Sequence, residues 1–307
     1  MPVGGGHVDN ELTIGTIEIT DEEKRLVNEA LDASRLTYGK FHRQFEAEFA
    51  AAHGCANGVF CNSGTSALLL ALAALRDRRG WTSSSEVIVP AITFVATINV
   101  VLQAGLTPVF ADVDPLTYNI DPKAVRRAVG TNTVAILPVH LFGLSADMEE
   151  IVAIAQEYGL DIVEDACESA GAGYRGRRVG SFGIASCFST YAAHIIVTGV
   201  GGLVLTSEDW LATEVRSRMA HGRDAAYLSI DDDDKLTDAD FRDIVNRRFN
   251  FVREGFSFRL TEMEAALGCA QLARLDSILS RRAAVAGKLT EALKPFPVRP
   301  PWVPTDR

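Results

Sequence analysis

The chain has 307 residues, of which 47% are hydrophobic and 23% charged, so its length and composition are those of one or two soluble folded domains. Its formal net charge of −10 and the lack of any basic run argue against a nucleic-acid partner or an anionic membrane surface. The five cysteines show no CxxC spacing, which favours neither a disulfide framework nor a metal site. No apolar run approaches a membrane span and residues 1–15 do not resemble a signal peptide, so we expect a cytoplasmic protein.

Amphipathic helices alternate with short apolar strands along most of the chain. Strands that are separated by helices predict an α/β fold with a mostly parallel sheet and helices on both of its faces. Ligands of such sheets bind beyond the carboxyl ends of the strands, where Asp165, Ser189 and His194 end or follow predicted strands. The predicted helices are 21–34, 41–52, 64–75, 93–105 and 147–159, and the predicted strands are 58–62, 86–90, 107–113, 133–140, 160–165, 185–190 and 201–207.

The last part of the chain has a different pattern. Thr261 and Glu264 have the spacing of a capping box, which predicts the start of one long helix before a proline-rich end. We expect an N-terminal arm and helix over 1–35, a large domain over 36–260, and over 261–307 the long helix that leads into a smaller C-terminal domain, itself absent or truncated. The acidic run Asp231–Asp234 is interpreted as a solvated loop.

Three motifs contain candidate binding residues. Ser63, Gly64, Thr65 and Ser66 follow a strand and begin a helix, so they form either an anion site or an ordinary helix cap. Asp165 ends an apolar strand and needs a partner there, which a protonated pyridine nitrogen, a salt bridge or a helix end would supply. Further along, Ser189 offers a second hydroxyl to an anion, and the histidine five residues later is either structural or functional.

Taken together, the motifs resemble the DegT/DnrJ/EryC1/StrS family of fold-type-I pyridoxal phosphate enzymes. The resemblance covers about residues 13–290 and rests on stretches such as "NSGTSAL", "VIVPAITFVATINVV", "IVEDACESAGA", "GSFGIASCFS" and "GFSFRLTEMEAALGCAQLARLD". It implies an aminotransferase-like large domain that binds pyridoxal 5'-phosphate, in a homodimer whose sites lie at the subunit interface.

The resemblance also implies a role for each matching residue. Val200 departs from the family, which usually has glutamate there, and Ser257 stands in place of an asparagine that reaches the neighbouring subunit's cofactor. In this resemblance Phe94 stacks on the ring face of the cofactor, Asp165 pairs with the ring nitrogen, and Glu168 lies near the ring hydroxyl. The residues implied at the phosphate are Gly64, Thr65, Ser66, Ser189 and Ser257.

His194 occupies the position at which this family usually has the lysine that bonds to the cofactor, and none of the six lysines lies near it. The sugar 3-dehydratase branch of the family carries histidine there. This resemblance implies removal of the C3 hydroxyl from a nucleotide-linked 4-keto-6-deoxyhexose, with pyridoxamine 5'-phosphate as the amine form of the cofactor and L-glutamate as its amino donor. Imidazole suits a general base because its unperturbed pKa is about 6.5.

Only Cys269 follows His194, which argues against the iron–sulfur cluster of one dehydratase subtype. Two alternatives stay open at this point. One is a different pyridoxamine-dependent enzyme of natural-product synthesis, and the other is a non-catalytic subunit that retains the cofactor pocket.

Overall fold

The computed structural model of the chain describes residues 17–224, 237–247, 249–298, 300 and 302–307. Most of the expected N-terminal arm, the acidic run Asp231–Asp234 and most of the loop before it therefore lie outside the described residues. The nine strands are β1 Asn57–Cys61, β2 Glu86–Pro90, β3 Thr107–Ala111, β4 Thr133–Ile136, β5 Asp161–Asp165, β6 Gly173–Tyr174, β7 Arg177–Arg178, β8 Ala185–Ser189 and β9 Gly202–Thr206, as found within these ranges.

The five helices predicted before residue 160 are present with ends within four residues of the predicted ones, whereas the helices Pro122–Ala128, Asp209–Met219 and Asp238–Arg247 were not predicted. Gly159 adopts the left-handed conformation directly after α6, which is the usual way for a helix to end. None of the helices in the described ranges is long and apolar enough to cross a membrane. The α-helices described are α1 Asp21–Asp32, α2 Lys40–Ala52, α3 Gly64–Arg79, α4 Val95–Gln103, α5 Pro122–Ala128, α6 Met148–Tyr158, α7 Asp209–Met219, α8 Asp238–Arg247, α9 Glu262–Ala273 and α10 Leu275–Leu293.

Seven of the strands form one sheet in the order β1-β9-β8-β5-β4-β2-β3. Neighbouring strands from β3 to β8 run parallel, whereas β9 is antiparallel to both β8 and β1. The prediction of a mostly parallel sheet is confirmed. Helices α4, α5 and α6 connect the parallel strands from β2 to β5, and helices pack on both faces of the sheet.

Alternate residues of each strand pack on opposite faces of the sheet. In β8, Cys187 packs with α3, α4 and α7, whereas Phe188 packs with α1, α2 and α9. The first of these helices, α3, is apolar and almost entirely buried from residue 66 to residue 75, as expected for a helix in the centre of a domain, and only its last turn is charged. It begins at the carboxyl edge of the sheet, so the core fixes the position of its first turn.

The prediction of one long C-terminal helix from Thr261 is wrong. The capping box is present, with Thr261 N donating to Glu264 Oε2 at 3.1 Å, but the helix breaks at Arg274, whose φ and ψ are −108° and 10°. The guanidinium of Arg274 is anchored on α1, where it contacts the Glu23 carboxylate at 2.5 Å. No glycine or proline marks this position, so the contact with α1 accounts for a break that sequence periodicity does not reveal.

Candidate functional site

Three of the predicted motifs meet at the carboxyl edge of the sheet, and Gly64 is their closest point. A Cβ atom built on Gly64 would lie only 2.6 Å from Cys167 Sγ and 2.8 Å from Ser189 Cβ. The first turn of α3 therefore fits directly against the ends of β5 and β8. A side chain larger than hydrogen would separate these segments.

The start of α3 forms a capped helix N-terminus. Ser63 adopts an extended conformation, its Oγ accepts a hydrogen bond from Ser66 N at 3.0 Å, and it donates to Ser66 Oγ at 3.0 Å. Ser66 is thus part of the cap, and its role at a phosphate stays a prediction. Thr65 is exposed, and Ser189 Oγ accepts from Tyr191 N at 3.3 Å. Backbone N–H groups of a first helical turn favour an anion.

The glycine pair Gly201–Gly202 supports this turn from behind. A Cβ atom on Gly202 would lie 2.3 Å from the Ser63 carbonyl carbon and 2.5 Å from Gly64 N. Gly201 has a φ of 149°, which side-chain-bearing residues rarely adopt. Gly202 lets β9 approach the first turn of α3 closely, and Gly201 fits against Thr190 and Phe60. The neighbouring Val200 is 51% exposed.

Asp165 lies at the end of β5, only 5% exposed. Its Oδ2 accepts a hydrogen bond from Thr97 Oγ1 at 2.9 Å, and its Oδ1 accepts from Cys167 N at 3.2 Å. In the described part of the chain, no lysine or arginine forms an ion pair with it. A buried carboxylate is costly without a compensating partner. A protonated pyridine nitrogen fits this requirement.

Phe94 lies one turn before Thr97, at the N-terminus of α4. Its carbonyl oxygen accepts from Thr97 N at 3.1 Å, so the two residues are fixed relative to each other. The ring is 68% exposed, whereas Thr97 is fully buried. An uncovered aromatic ring at the start of the helix that contacts Asp165 is suited to stack on a flat heterocycle. The sequence analysis missed Thr97, although two threonines four residues apart at the start of a helix are a usable signal.

His194 lies in the turn after β8, and it is half-buried. Its ring is 6.0 Å from the Tyr191 ring in an edge-on arrangement, and Nδ1 is buried without a hydrogen-bond partner among the described residues. Burial lowers the pKa of His194 below 6.5, although the negative charges of Glu168 and Asp165 oppose this shift. The imidazole is therefore neutral near pH 7 and able to accept a proton.

A cavity of about 870 Å³ opens beside His194. Its walls include Phe142 and Gly143 on one side and the side of α10 on the other. Phe142 has a φ of 56°, an unusual value for a residue with a side chain, and its N–H donates to Glu168 Oε2 at 2.8 Å. Glu168 thus holds the loop that borders the cavity. Its predicted position near the cofactor hydroxyl stays a prediction.

Ser257 is exposed and lies outside the strands, where it forms an isolated antiparallel bridge with Ala220. Its Oγ is 3.5 Å from Arg259 Nη2, which in turn is 3.2 Å from His221 Nε2. The carbonyl oxygen of its neighbour Phe258 accepts a hydrogen bond from Asn62 N at 2.9 Å, just before the first turn of α3. The described contacts do not bring the Ser257 side chain to that turn, so its predicted role at a neighbouring subunit's cofactor stays a prediction.

The arrangement of these residues is suited to bind pyridoxal phosphate. They combine a helix N-terminus with the close approach that Gly64 permits, a buried carboxylate and an uncovered aromatic ring. Asn62 Oδ1, next to the cap, is buried without a described partner. Unsatisfied buried polar atoms are uncommon in folded proteins, so this one also points to a missing polar ligand.

The DegT/DnrJ/EryC1/StrS aminotransferase family matches residues 17–306. The chain is 36% identical over 277 residues to GDP-perosamine synthase of Caulobacter vibrioides. This match covers 90% of this chain and 68% of that protein. The chain is 38% identical over 281 residues to the spore coat polysaccharide biosynthesis protein SpsC of Bacillus subtilis, covering 91% of this chain and 68% of that protein.

Among solved structures, the chain is similar to GDP-4-keto-6-deoxymannose-3-dehydratase with a trapped PLP–glutamate geminal diamine. The TM-score is 0.84 at 30% identity, and the match covers 94% of this chain and 74% of that chain. Two further structures of the same dehydratase carry substitutions. In one a histidine is replaced by asparagine, and in the other an adjacent serine and histidine are replaced by asparagine and lysine.

Proposed function

The chain belongs to the DegT/DnrJ/EryC1/StrS aminotransferase family, and we propose that it is a pyridoxal phosphate-dependent 3-dehydratase of a nucleotide-linked 4-keto-6-deoxyhexose. The observation that carries this proposal is His194, which stands where the resemblance places the family's lysine. Imidazole forms no stable imine with an aldehyde. The cofactor is then held without a covalent bond and is able to persist as pyridoxamine phosphate.

The bound cofactor supplies an amine that captures the substrate ketone and a ring that accepts electrons. The first turn of α3 binds its phosphate, and Phe94 supports one face of its ring. Asp165 accepts a hydrogen bond from the ring nitrogen and keeps it protonated. These residues hold the reactive end of the cofactor beside His194.

His194 then moves the proton on which the loss of the C3 hydroxyl depends. Since Nδ1 is buried, Nε2 would be the imidazole nitrogen that accepts the proton when cofactor and substrate are bound. A neutral imidazole is required for this step, and burial favours that form. The half-buried position of the histidine also limits the access of water to the transferred proton.

Transamination is the second candidate, since one of the similar proteins, GDP-perosamine synthase, is named for the synthesis of an amino sugar. The two reactions differ in their products. Dehydration followed by hydrolysis consumes L-glutamate and releases 2-oxoglutarate, ammonia and a deoxygenated keto sugar. Transamination consumes the same donor but retains the nitrogen in the sugar, so no ammonia is released.

The proposal includes a homodimer. Ser257 and Arg259 are exposed together beside the segment that contacts Asn62, an arrangement that supports a contribution to the site of a second copy. Size-exclusion chromatography with light scattering tests this part. A monomer that binds the cofactor with full affinity would contradict it.

The central experiment is an absorbance spectrum of the protein with pyridoxal phosphate, before and after addition of L-glutamate. We expect an aldehyde band without a borohydride-reducible protein adduct, and its replacement by the pyridoxamine band. GDP- and dTDP-linked 4-keto-6-deoxyhexoses are then supplied with glutamate, and 2-oxoglutarate and ammonia are measured. Equal amounts of both support the dehydratase, whereas 2-oxoglutarate without ammonia supports the aminotransferase. Failure to retain any cofactor would mean that the site is lost and would support a binding subunit without catalysis.

A further inference from the structure

Thr97 connects α4 to the carboxylate at the end of β5. Its side chain is fully buried, and its Oγ1 lies 2.9 Å from Asp165 Oδ2 and 2.8 Å from Thr93 Oγ1. An ionised carboxylate only accepts hydrogen bonds, so the Thr97 proton is directed at Asp165. The Thr97 oxygen then accepts the proton of Thr93. The two hydroxyl groups therefore donate in the same direction, from Thr93 to Thr97 and from Thr97 to the Asp165 carboxylate.

The other carboxylate oxygen is also held. Cys167 N donates to Asp165 Oδ1 at 3.2 Å, from the backbone just after the strand. The terminal torsion of an aspartate is broad and does not by itself fix the plane of the carboxylate. Donors on both oxygens from two different elements therefore fix this plane.

Building on the proposed function, we propose that Thr97 is a positioning residue for the cofactor. It orients the Asp165 carboxylate so that an unused lone pair is directed to the protonated ring nitrogen. Thr93 strengthens this effect, because hydrogen bonds in a directed chain polarise one another. The start of α4 thereby positions two parts of the cofactor site. Phe94 lies at the ring face, and Thr97 holds the carboxylate.

The proposal predicts an effect on cofactor affinity that depends on the hydroxyl group. Thr97→Val keeps the shape of the side chain but removes the donor, and we expect the Kd for pyridoxal phosphate to rise about 10-fold, equivalent to about 1.4 kcal/mol. Thr97→Ser keeps the donor, and its Kd is expected to stay within about 3-fold of the original. Thr93→Val is expected to raise the Kd by about 3-fold, because it acts through Thr97.

The measurement is equilibrium dialysis of the whole chain against pyridoxal phosphate without substrate, combined with urea unfolding of the cofactor-free protein. Thr206→Val is the matched control, since Thr206 is also buried and donates to the Ile184 carbonyl at 2.8 Å outside the site. We expect this control to lower stability without changing the Kd. A Thr97→Val protein that loses stability but keeps its Kd would overturn the positioning role.

Asp165→Asn separates the failure of this inference from failure of the proposed function. If Asp165→Asn weakens cofactor binding and Thr97→Val does not, the positioning role is wrong and the proposed function stands. If Asp165→Asn binds as tightly as the original protein, the cofactor geometry of the proposed function fails and the positioning role falls with it. In the Asp165→Asn background, Thr97→Val should add less than about 2-fold, because coupled residues are not additive.

Discussion

The carboxylate of Glu262, the first residue of α9, accepts a hydrogen bond from the ring Nδ1 of His42 at 3.0 Å, and both side chains are buried. The same carboxylate accepts from the backbone N–H groups of Gly39 at 2.6 Å and Phe41 at 2.9 Å. It thus binds the first turn of α2 and satisfies N–H groups that a helix start leaves without partners. These donors lower the pKa of Glu262, although burial alone would raise it.

We expect Glu262→Gln to lower the free energy of unfolding by about 2 kcal/mol at pH 7, since hydrogen bonds to a charged acceptor are replaced by weaker ones. The folded-state pKa of Glu262 lies below its unfolded value, so its stabilisation is present above pH 4.5 and is lost as the pH falls through the folded value. Urea unfolding at pH 7 and pH 4 tests this. Glu291→Gln, with a side chain 70% exposed, is the control, and an equal effect of both substitutions would contradict the prediction.

His53 predicts a second pH dependence. Its Nδ1 donates to the Phe49 carbonyl at 2.9 Å, its Nε2 accepts from Gly171 N at 3.1 Å, and burial lowers its pKa to about 4. Because this value is below the unfolded value of 6.5, the stabilisation is complete above pH 6.5 and is lost as the pH falls from 6.5 towards 4, by about 3 kcal/mol.

The test for His53 is the slope of unfolding free energy against pH between 4 and 6.5, which is the range set by these values. His53→Gln removes the titrating group, so the protein is expected to be less stable at pH 7 but to show a shallower slope. An unchanged slope in the substituted protein would rule out His53 as the source.

The close packing around Gly64 leads us to expect that a larger side chain at this position disturbs the cofactor site. Gly64→Ala places a methyl group against Cys167 and Ser189, and we expect a loss of about 1–3 kcal/mol in stability together with at least about 10-fold weaker binding of pyridoxal phosphate. Gly287 is also helical but has no atom within 4 Å of the added Cβ. Gly287→Ala is therefore expected to keep or slightly raise stability. Equal behaviour of the two variants would refute the close-approach argument.

His194→Lys predicts a change in the chemistry of binding. A lysine amine at this position is expected to bond to the cofactor aldehyde, and borohydride then fixes the cofactor on residue 194, which mass spectrometry of peptides detects. His194→Asn, which has no such amine, is the control and should give no adduct. A Lys variant that binds the cofactor without an adduct would place residue 194 outside reach of the aldehyde.

The proposed base also predicts the pH profile. Since burial lowers the pKa of His194, the acid limb of the ammonia-releasing reaction should fall below pH 6.5, where the imidazole becomes protonated. The rate is expected to decrease about 10-fold per pH unit on that limb. His194→Asn should remove the limb together with most of the activity. A limb above pH 7 would assign the titration to another group.

The sequence by itself determined the alternation of strands and helices, the helix ends at Gly159 and at the Thr261 capping box, and the family. These features are local, since each depends on residues within a few positions of one another. The presence of His194 in this motif, with no lysine nearby, is equally visible, because it concerns a single residue within a recognisable motif.

Only the tertiary structure decided which distant residues touch. Thr97 and Asp165 are separated by 68 positions, and the parallel sheet brings them to 2.9 Å because α4 begins at the edge of the sheet where β5 ends. The contact of Gly64 with Cys167 and the helix break at Arg274 likewise depend on elements that pack from elsewhere in the chain. Periodicity fixes which face of an element is apolar, whereas the packing of that face against its neighbours fixes the geometry of the site.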